Sequence, residues 1–222
     1  MARKVYLMER VFWLLYHPFA WAYDFVSWVV SVGRWQKWVH SIVPLLEGPC
    51  ILEIGFGPGH LQTRLFKCGY RVFGVDESPN MVNLARRRLQ RGGVLGQLVR
   101  ARAEALPFRR DSFDTVVATF PGNYIWAMDT LEGIWSVLRP GGRLVVLLGA
   151  VPGGEGLFVR ALRWLFRMTA QGPVSPEFQH RLTEHFLARN YLNVAWKISD
   201  YNGDQMLILM AQKPLAPTAE KL

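Results

Sequence analysis

The sequence predicts an α/β protein in which helices cover both faces of a mostly parallel sheet. Short apolar runs alternate with segments of helical length from residue 50 to residue 150. Parallel strands need long crossover connections, which are usually helices, so this alternation indicates a parallel sheet. A second observation is a pair of extended runs near the end of the chain, joined by a turn signal.

Each element follows from its own local pattern. Apolar strands are predicted at 50–55, 71–76, 95–101, 113–120 and 143–150, with helices at 59–69, 79–90 and 126–138. The extended runs 193–201 and 205–213 flank Asn202-Gly203-Asp204, whose residues favour a tight turn. We therefore expect an antiparallel hairpin at one edge of the sheet.

Composition excludes several classes of protein. Half of the 222 residues are hydrophobic and only 19% are charged, which is typical of one folded domain rather than a disordered chain. Lys and Arg number 26 against 17 Asp and Glu, a net charge of +9. That excess favours an anionic partner, whether nucleic acid, a lipid surface or a phosphorylated substrate. The two cysteines, Cys50 and Cys68, are too few for a disulfide scaffold, so we expect reduced thiols in a cytoplasmic protein.

The N-terminal segment, residues 11–32, is the most apolar and aromatic part of the chain. Pro18 and Asp24 interrupt it, and an Asp at a bilayer centre costs about 2.5–3.5 kcal/mol, so a spanning helix is disfavoured. No small-residue cleavage site follows, so we do not expect a signal peptide. Three interpretations stay open: a helical lid over an apolar pocket, a helix lying in a lipid interface, or ordinary packing on the core.

A glycine-rich loop follows the first strand. Gly55, Gly57 and Gly59 permit a sharp turn and a close approach of a ligand to the backbone. The next helix directs its free N–H groups toward the same place. Asp76 ends the second strand, where an acidic residue in such sheets accepts hydrogen bonds from a ribose diol. Strand, glycine loop, helix, strand and terminal acid, in that order, predict a nucleotide site.

The loop does not match the usual phosphate-binding patterns. A dinucleotide fingerprint places its third glycine where this chain has His60, and Pro58 lacks a backbone N–H for a pyrophosphate. No Gly-Lys-Ser/Thr follows, as a phosphate-binding P-loop requires. The loop therefore favours a nucleotide ligand without phosphates over NAD.

Several motifs together resemble the class I S-adenosylmethionine-dependent methyltransferases. They are EIGFGPG at 53–59, VDESPNM at 75–81, AEALPF at 103–108, Phe113-Asp114 at the fourth strand and LRPGGRL at 138–144. The resemblance covers residues 48–150, and the terminal hairpin fits the reversed last strand of that fold. It implies a seven-stranded Rossmann-like sheet with S-adenosylmethionine at the carboxyl ends of strands one, two and four. A local similarity between residues 23 and 38 is to the quinone-pathway and phospholipid methyltransferases.

The resemblance also implies roles within the cofactor site. The three loop glycines would lie under the methionine part, Glu53 would hold the loop and the cofactor's amino group, and Asp76 would bind the ribose hydroxyls. The other residues expected around the cofactor are Phe56, Glu77, Met81, Ala103, Glu104 and Phe120. The family usually has an acid before Ala-Glu to meet the adenine amine, and this chain has Arg102 there. Adenine recognition must then use a backbone carbonyl or another side chain such as Glu104, which could equally cap a helix. No metal is expected.

Catalysis with a sulfonium methyl donor requires alignment of methyl group and acceptor, and a base only when the acceptor arrives protonated. Tyr124 follows the fourth strand, where acceptors bind in this fold, and Tyr23 lies in the N-terminal aromatic segment. His180 and His185 lie between the fifth strand and the hairpin. These four are the candidate catalytic residues. The paired-proline motif of methyltransferases that act on base amines is absent from residues 119–124, which are TFPGNY.

Two further segments bear on the acceptor. Residues 157–168 (LFVRALRWLFRM) form a basic amphipathic pattern, which suits an anionic membrane interface or a surface helix with a buried apolar side. A second basic cluster consists of arginines at 86, 87, 88 and 91, with others at 100, 102, 109 and 110. Such a cluster is typical of a solvated face, a membrane-docking patch or an RNA-binding face.

We therefore expect a methyltransferase that acts on a hydrophobic or amphipathic small molecule, such as a lipid or an isoprenoid quinol. Residues 1–47 would form an aromatic, membrane-facing helical lid, 48–213 the methyltransferase domain with a 153–190 lid insert, and 214–222 a disordered tail. The protein would be cytoplasmic, with peripheral contact to the inner face of an anionic membrane. An RNA methyltransferase and a non-catalytic lipid-binding protein of the same fold are the alternatives.

Overall fold

A computed structural model describes residues 31, 33–94, 96–154 and 175–216, which form a seven-stranded sheet flanked by helices. The strands are β1 (Cys50–Ile54), β2 (Arg71–Asp76), β3 (Gln97–Arg100), β4 (Phe113–Thr119), β5 (Leu138–Val151), β6 (Leu192–Tyr201) and β7 (Asp204–Gln212). The α-helices are α1 (Trp35–His40), α2 (His60–Lys67), α3 (Pro79–Arg91), α4 (Met128–Val137) and α5 (Pro176–Leu187). Short 3-10 turns lie at Val43–Leu45 and Asn123–Trp126.

The strand order across the sheet is β3-β2-β1-β4-β5-β7-β6. The first five strands pair in parallel, and β7 is antiparallel to both β5 and β6. The predicted Rossmann-like sheet with an antiparallel terminal hairpin is therefore confirmed. Ile54 pairs with Val75, so the ends of β1 and β2 meet at one edge of the sheet. That edge, the carboxyl edge, carries the glycine loop.

Two strands differ from the predicted bounds. β5 begins at Leu138 rather than at residue 143, because Leu138 already pairs with Phe113 before the register shifts. β3 is confined to four residues and forms the edge of the sheet, where a strand has only one neighbour. Both differences lie at strand ends, where local sequence constrains the pairing least.

Alternating side chains divide the core between the two faces of the sheet. Helices α1 and α2 pack through Trp38, Val39, Leu61 and Leu65 against one set of strand residues, Ile51, Val117, Val145 and Ile208. Helices α4 and α5 pack against the alternate set, which includes Leu52, Val116, Leu144 and Leu209. Since neighbouring residues of a strand point to opposite faces, these are the two sides of one buried sheet. Helix α3 lies beside α2 and covers β3 through Val82, Ala85 and Leu89.

Local signals explain where the longer helices begin. Ser78 and Ser175 accept hydrogen bonds from the third backbone N–H beyond them, and a proline occupies the first position of α3 and of α5. Capping by a serine and a proline at the first position are both favourable helix starts. Helix α2 starts instead from Gly59, whose φ of +83° favours glycine. The glycine loop therefore determines where α2 begins.

Some predicted features lie outside the described residues. These are Tyr23 together with residues 1–30 and 32 of the N-terminal lid, the basic amphipathic segment 157–168, and residues 217–222 of the tail. At the start of the tail, the Pro214 carbonyl accepts a hydrogen bond from the backbone N–H of Gly141. Cys50 lies in β1 and Cys68 directly after α2, both as free thiols. None of the helices in the described ranges is long and apolar enough to cross a membrane.

Candidate active site

The glycine loop forms the floor of the candidate site. Gly55, Gly57 and Gly59 all have positive φ, at +70°, +52° and +83°, and the space beside each of them is different. A Cβ on Gly59 would lie 2.9 Å from the Cβ of Ala85, so this glycine allows α3 to pack closely. A Cβ on Gly57 would meet nothing within 4 Å, so the space beside this buried residue is open. Gly57 is therefore the point of the loop where a ligand can approach the backbone.

Asp76 connects the end of β2 to the glycine loop. Its Oδ2 accepts a hydrogen bond from the Gly57 N–H at 2.8 Å, and its Oδ1 accepts one from the Ser78 N–H at 2.9 Å. Burial raises the pKa of Asp76, and these two backbone hydrogen bonds partly oppose that rise. A carboxylate has about four lone-pair sites, so two remain for other donors. Asp76 can both hold the loop and accept from a diol.

Glu53 lies near the end of β1 and is fully buried, with 1% of its surface exposed. Gln62 of α2 donates to its Oε2 at 2.8 Å and also to the Phe73 carbonyl at 3.2 Å. Burial raises the pKa of Glu53 to about 8, the hydrogen bond from Gln62 lowers it, and the nearby Asp76 raises it further. A buried acid whose pKa is raised in this way is stabilised most by a cation placed beside it.

The two acids fit the cofactor that the sequence resemblance implies. In the described part of the chain, no Lys, Arg or His forms an ion pair with Glu53 or Asp76. S-adenosylmethionine carries an ammonium, a sulfonium and a ribose diol, which suit two buried carboxyls beside an open glycine. No three His, Cys, Asp or Glu residues of the described ranges are grouped to hold a metal ion.

Tyr124 lies on the other side of the glycine loop. It belongs to the 3-10 turn after β4, and its hydroxyl occupies the position that a Cβ on Gly55 would take. Any side chain at Gly55 would therefore displace this hydroxyl. The fold thus brings Tyr124, one of the predicted catalytic residues, directly to the loop, and places a hydroxyl group where β4 ends.

An aromatic group, which we call the aromatic wall, lies at the same edge of the sheet and consists of Trp35, Trp38 and Phe120. The Trp35 and Phe120 rings stack at 4.4 Å between centroids, and Trp38 lies 6.4 Å from Phe120. Phe120 has a φ of +48°, which is unusual for a residue with a side chain. Its backbone N–H donates to the Leu147 carbonyl at 2.7 Å, which holds this conformation. The wall provides apolar surface at the end of β4, the strand that the turn carrying Tyr124 also follows.

Asp204 anchors the aromatic wall, whereas the sequence predicts it only as part of a hairpin turn. Its carboxylate accepts hydrogen bonds from Arg34 Nη1 at 2.6 Å, Trp38 Nε1 at 2.7 Å and the Gly153 N–H at 2.8 Å. Asp204 is 4% exposed and begins β7 at the end of the predicted hairpin turn. Asp204, at the start of β7, is thus hydrogen-bonded both to the region of α1 and to the segment that follows β5.

The residues expected around adenine occupy the region after β2 and β3. Met81 and Ala103 are buried, whereas Glu77 is exposed. Arg102, which stands where the family usually has an acid, lies 3.2 Å from Glu104 and 3.9 Å from Glu77. The guanidinium therefore lies between two carboxylates and offsets their charge. Phe56, also expected here, is buried against α3.

The structure does not bring the predicted histidines to the glycine loop. His180 and His185 lie on α5, which is hydrogen-bonded to the outermost strand through Thr183 and Trp196. Three strands separate that strand from β1. His180 lies 3.4 Å from Glu184, and burial together with Arg189 lowers the pKa of His185. Their positions are those of a surface helix.

Comparisons with known proteins agree with this geometry. A family model described as a methyltransferase domain matches residues 51–142. A ubiquinone/menaquinone biosynthesis C-methyltransferase from Marinomonas sp. (strain MWYL1) is 32% identical over 174 residues, which are 74% of this chain and 68% of that protein. A demethylmenaquinone methyltransferase from Clavibacter sepedonicus is 35% identical over 136 residues. That match covers 59% of this chain and 55% of the relative, so the chain spans little more than half of its length.

Solved structures resemble the fold. An S-adenosylmethionine-dependent methyltransferase from Aquifex aeolicus superposes with a TM-score of 0.59 at 16% identity. The match covers 81% of this chain and 92% of that one. At this identity the likeness concerns the architecture alone.

Proposed function

Because the chain belongs to the class I S-adenosylmethionine-dependent methyltransferases, in the quinone-pathway group, we propose that it methylates a ring carbon of a quinol with an apolar tail. One relative is named as a ubiquinone/menaquinone biosynthesis C-methyltransferase and another as a demethylmenaquinone methyltransferase. The single observation that carries the acceptor class is the aromatic wall at the carboxyl edge of the sheet, the edge at which Tyr124 reaches the glycine loop. A flat, apolar ring with a polar oxygen matches both features.

Glu53 and Asp76 bind the cofactor in this proposal. Asp76 accepts from the ribose hydroxyls with its two remaining lone pairs, and Glu53 lies toward the ammonium group. The open space beside Gly57 accommodates the methionine part. Glu77, Met81, Ala103, Glu104, Phe56 and Phe120 complete the surroundings of the cofactor. Bound S-adenosylmethionine supplies a methyl group that is already activated by the sulfonium charge.

Tyr124 and the aromatic wall act on the acceptor. Stacking of Trp35 on Phe120 excludes water and offers an apolar face to the ring. The Tyr124 hydroxyl orients a quinol hydroxyl by a hydrogen bond and can relay its proton, which increases the electron density on the neighbouring ring carbon. Alignment is the main contribution, because the methyl donor needs no further activation. His180 and His185 have no role here, since α5 lies over β6. Tyr23 would add to the acceptor side from the lid.

The proposed acceptor also determines where the protein works. A quinol with an isoprenoid tail is dissolved in a membrane, so a methyltransferase for it acts at the membrane surface. We therefore propose a cytoplasmic protein with peripheral contact to the inner face of the membrane. Residues 1–47 and the insert at 153–190 would cover the apolar part of the acceptor.

A transfer assay tests the proposed acceptor. Purified protein is incubated with methyl-labelled S-adenosylmethionine and a reduced, ring-demethylated quinone with a prenyl tail, and the label is followed into the organic phase. We expect transfer to ring carbon, and a roughly tenfold or greater loss of kcat in Tyr124→Phe with little change in cofactor affinity. The matched control is Tyr70→Phe, which makes the same change at a half-buried tyrosine just after α2 and should leave kcat unaltered.

Two results would overturn the proposal. One is a protein that binds S-adenosylhomocysteine but transfers no methyl group to any prenylated quinol. The other is transfer to the oxygen of the ring instead of its carbon. An unaltered kcat in Tyr124→Phe would remove Tyr124 from the mechanism while leaving the acceptor class in place.

A further inference from the structure

Among the described residues, the helices on one face of the sheet carry cations and no acids. Helices α1, α2 and α3 contain seven Lys and Arg residues and not one Asp or Glu. The cations are Lys37, Arg64, Lys67, Arg86, Arg87, Arg88 and Arg91. Helix α1 packs beside α2, and α2 beside α3, so these residues belong to one continuous surface, which we call the basic face.

The helices on the other face have the opposite charge. Helices α4 and α5 contain four acids, Asp129, Glu132, Glu177 and Glu184, against one cation, Arg181. The described helices of the two layers therefore differ in formal charge, at +7 for α1, α2 and α3 and −3 for α4 and α5. Among these helices, an anionic partner is attracted to the basic face rather than to the opposite one.

The cations of the basic face are available to a partner. All of them except Arg88, which donates to the Pro58 carbonyl, are exposed. Within the described ranges, none of the six exposed cations lies in an ion pair with a carboxylate. Phe66 lies between Arg64 and Lys67 in the sequence of α2 and is 45% exposed. Cations around an exposed aromatic ring suit the headgroup region of a bilayer.

The basic face also adjoins the candidate site. Helix α2 begins at the glycine loop, and α1 carries Trp35 and Trp38 of the aromatic wall. The sequence that leads into α1 is the most apolar part of the chain. Helices α1 and α2 therefore carry cations of the basic face and also adjoin parts of the candidate site.

We propose that the basic face docks the protein on an anionic phospholipid surface, through Lys37, Arg64, Lys67, Arg86, Arg87 and Arg91. The polarity between the two helix layers orients the molecule with this face toward the lipid. Exposed Phe66 enters the headgroup region. This inference rests on the proposed function and extends it. Its test measures vesicle binding and not methyl transfer, so the docking surface and the proposed activity can fail independently of each other.

Vesicle binding tests this surface. The full chain is sedimented with vesicles of phosphatidylglycerol and phosphatidylcholine in equal parts, and with phosphatidylcholine alone. We expect binding to the anionic vesicles only, and a loss of binding between roughly 0.1 M and roughly 0.5 M salt, because salt screens exposed charges. Each cation near an anionic surface adds about a fivefold gain, so Arg86→Gln/Arg87→Gln/Arg91→Gln should bind about a hundredfold more weakly. All three side chains are exposed on α3, so the fold should tolerate the change.

The matched control is Arg109→Gln/Arg181→Gln/Lys197→Gln, which removes three exposed cations outside the basic face and should bind as the unaltered protein does. Binding of S-adenosylhomocysteine by each variant verifies that its fold is intact. Equal binding to uncharged vesicles would overturn the proposal, as would a triple arginine variant of α3 that still binds the anionic ones. Tighter binding of this face to an RNA duplex than to vesicles at the same salt would overturn it in favour of nucleic acid.

Discussion

At the scale of single residues, the candidate site contains two buried acids whose hydrogen-bond donors, among the described residues, are all neutral. Glu53 is paired with the Gln62 amide, and Asp76 with two backbone N–H groups. Burial raises the pKa of both, so each has a favourable interaction to gain from a cation or a hydroxyl donor. A site of this kind binds a cationic nucleoside better than an anionic one.

Asp76 is the residue whose loss should weaken the cofactor most. Asp76→Ala removes the acceptor of the Gly57 N–H and, in the proposed site, the acceptor for the ribose hydroxyls. Hydrogen bonds to a charged group contribute about 1.5–3 kcal/mol, so we expect affinity for S-adenosylhomocysteine to fall about tenfold to a hundredfold. Titration calorimetry measures it, with Asp129→Ala, an exposed acid at the start of α4, as the control. Unchanged affinity in Asp76→Ala would contradict the site.

Glu53 should make stability depend on pH. Its pKa rises from an ordinary 4.5 to about 8 on folding, so between these values the folded protein holds one more proton than the unfolded chain. The free energy of unfolding then falls as pH rises through this window, by at most about 1.4 kcal/mol per pH unit, and the stabilisation is complete below the unfolded pKa. Glu53→Gln removes the ionisable group, so the variant should lack this dependence of the free energy of unfolding on pH.

Urea unfolding of the two proteins without cofactor, from acidic to mildly alkaline pH, measures the difference. The variant should gain stability relative to the unaltered protein as pH rises. Gln62→Ala provides a comparison, because it removes the hydrogen bond to Glu53 but leaves the acid in place. Parallel stability curves for Glu53→Gln and the unaltered protein would show that Glu53 is ionised in the folded state.

Phe120 shows that the acceptor side also holds strain. A φ of +48° on a residue with a side chain costs of the order of 1–3 kcal/mol, and the surrounding contacts must offset it. The hydrogen bond to Leu147 and the stacking with Trp35 do so. These contacts therefore hold the Phe120 ring in one orientation at the end of β4.

At the scale of elements, the carboxyl edge is assembled from loops that depend on one another. Asp204 at the start of β7 holds Arg34 and Trp38 of the N-terminal region and Gly153 at the end of β5. A Cβ on Gly153 would overlap the Gly203 carbonyl oxygen, so these two loops are in direct backbone contact. The lid segments predicted on either side of the acceptor thus start from one common anchor.

Loss of this anchor should lower stability. Asp204→Ala leaves the Trp38 indole N–H, the Gly153 N–H and one guanidinium contact without their acceptor. Each buried donor left unsatisfied costs about 1–3 kcal/mol, so we expect a fall in the free energy of unfolding of about 3 kcal/mol. For a chain of this length that corresponds to a drop in melting temperature of about 6–12 °C.

Thermal melts check this, with Asp200→Ala as the control. Asp200 is exposed and accepts one hydrogen bond in the same hairpin, from the Gly203 N–H. Its replacement should change the melting temperature much less. Equal shifts in the two variants would mean that the hairpin turn, and not the anchor, determines the effect.

At the scale of the whole molecule, charge is distributed by face. The net charge of +9 could belong to any class of protein that meets anions. In the fold, the cations of α1, α2 and α3 lie together, away from the acids of α4 and α5. Right-handed crossovers place α2 and α3 on the same side of the sheet. The topology therefore collects the cations of these helices on one charged surface.

The sequence by itself determined the sheet and the cofactor edge. The alternation of apolar runs and helical segments predicts the strands and helices, because the hydrophobic period of each element is set by residues close together in the sequence. The contacts of the cofactor edge also join residues that are close in the sequence. Gly57 and Asp76 are 19 residues apart, and Glu53 and Gln62 are nine apart. Such pairs lie within a single strand–helix–strand unit, whose geometry is fixed by its parts. The family motifs occupy the same stretch, which is why candidate cofactor residues could be proposed from the sequence.

Only the tertiary structure decided what surrounds the acceptor. Arg34 and Asp204 are 170 residues apart, and no local period relates them. The approach of Tyr124 to Gly55 follows from the pairing of β1 with β4, and the distance of His180 from the loop follows from the place of β6 at the edge of the sheet. Contacts between segments far apart in the chain depend on strand order and on helix packing. Propensity and spacing do not encode these, so the sequence could supply candidates for the acceptor side but not choose among them.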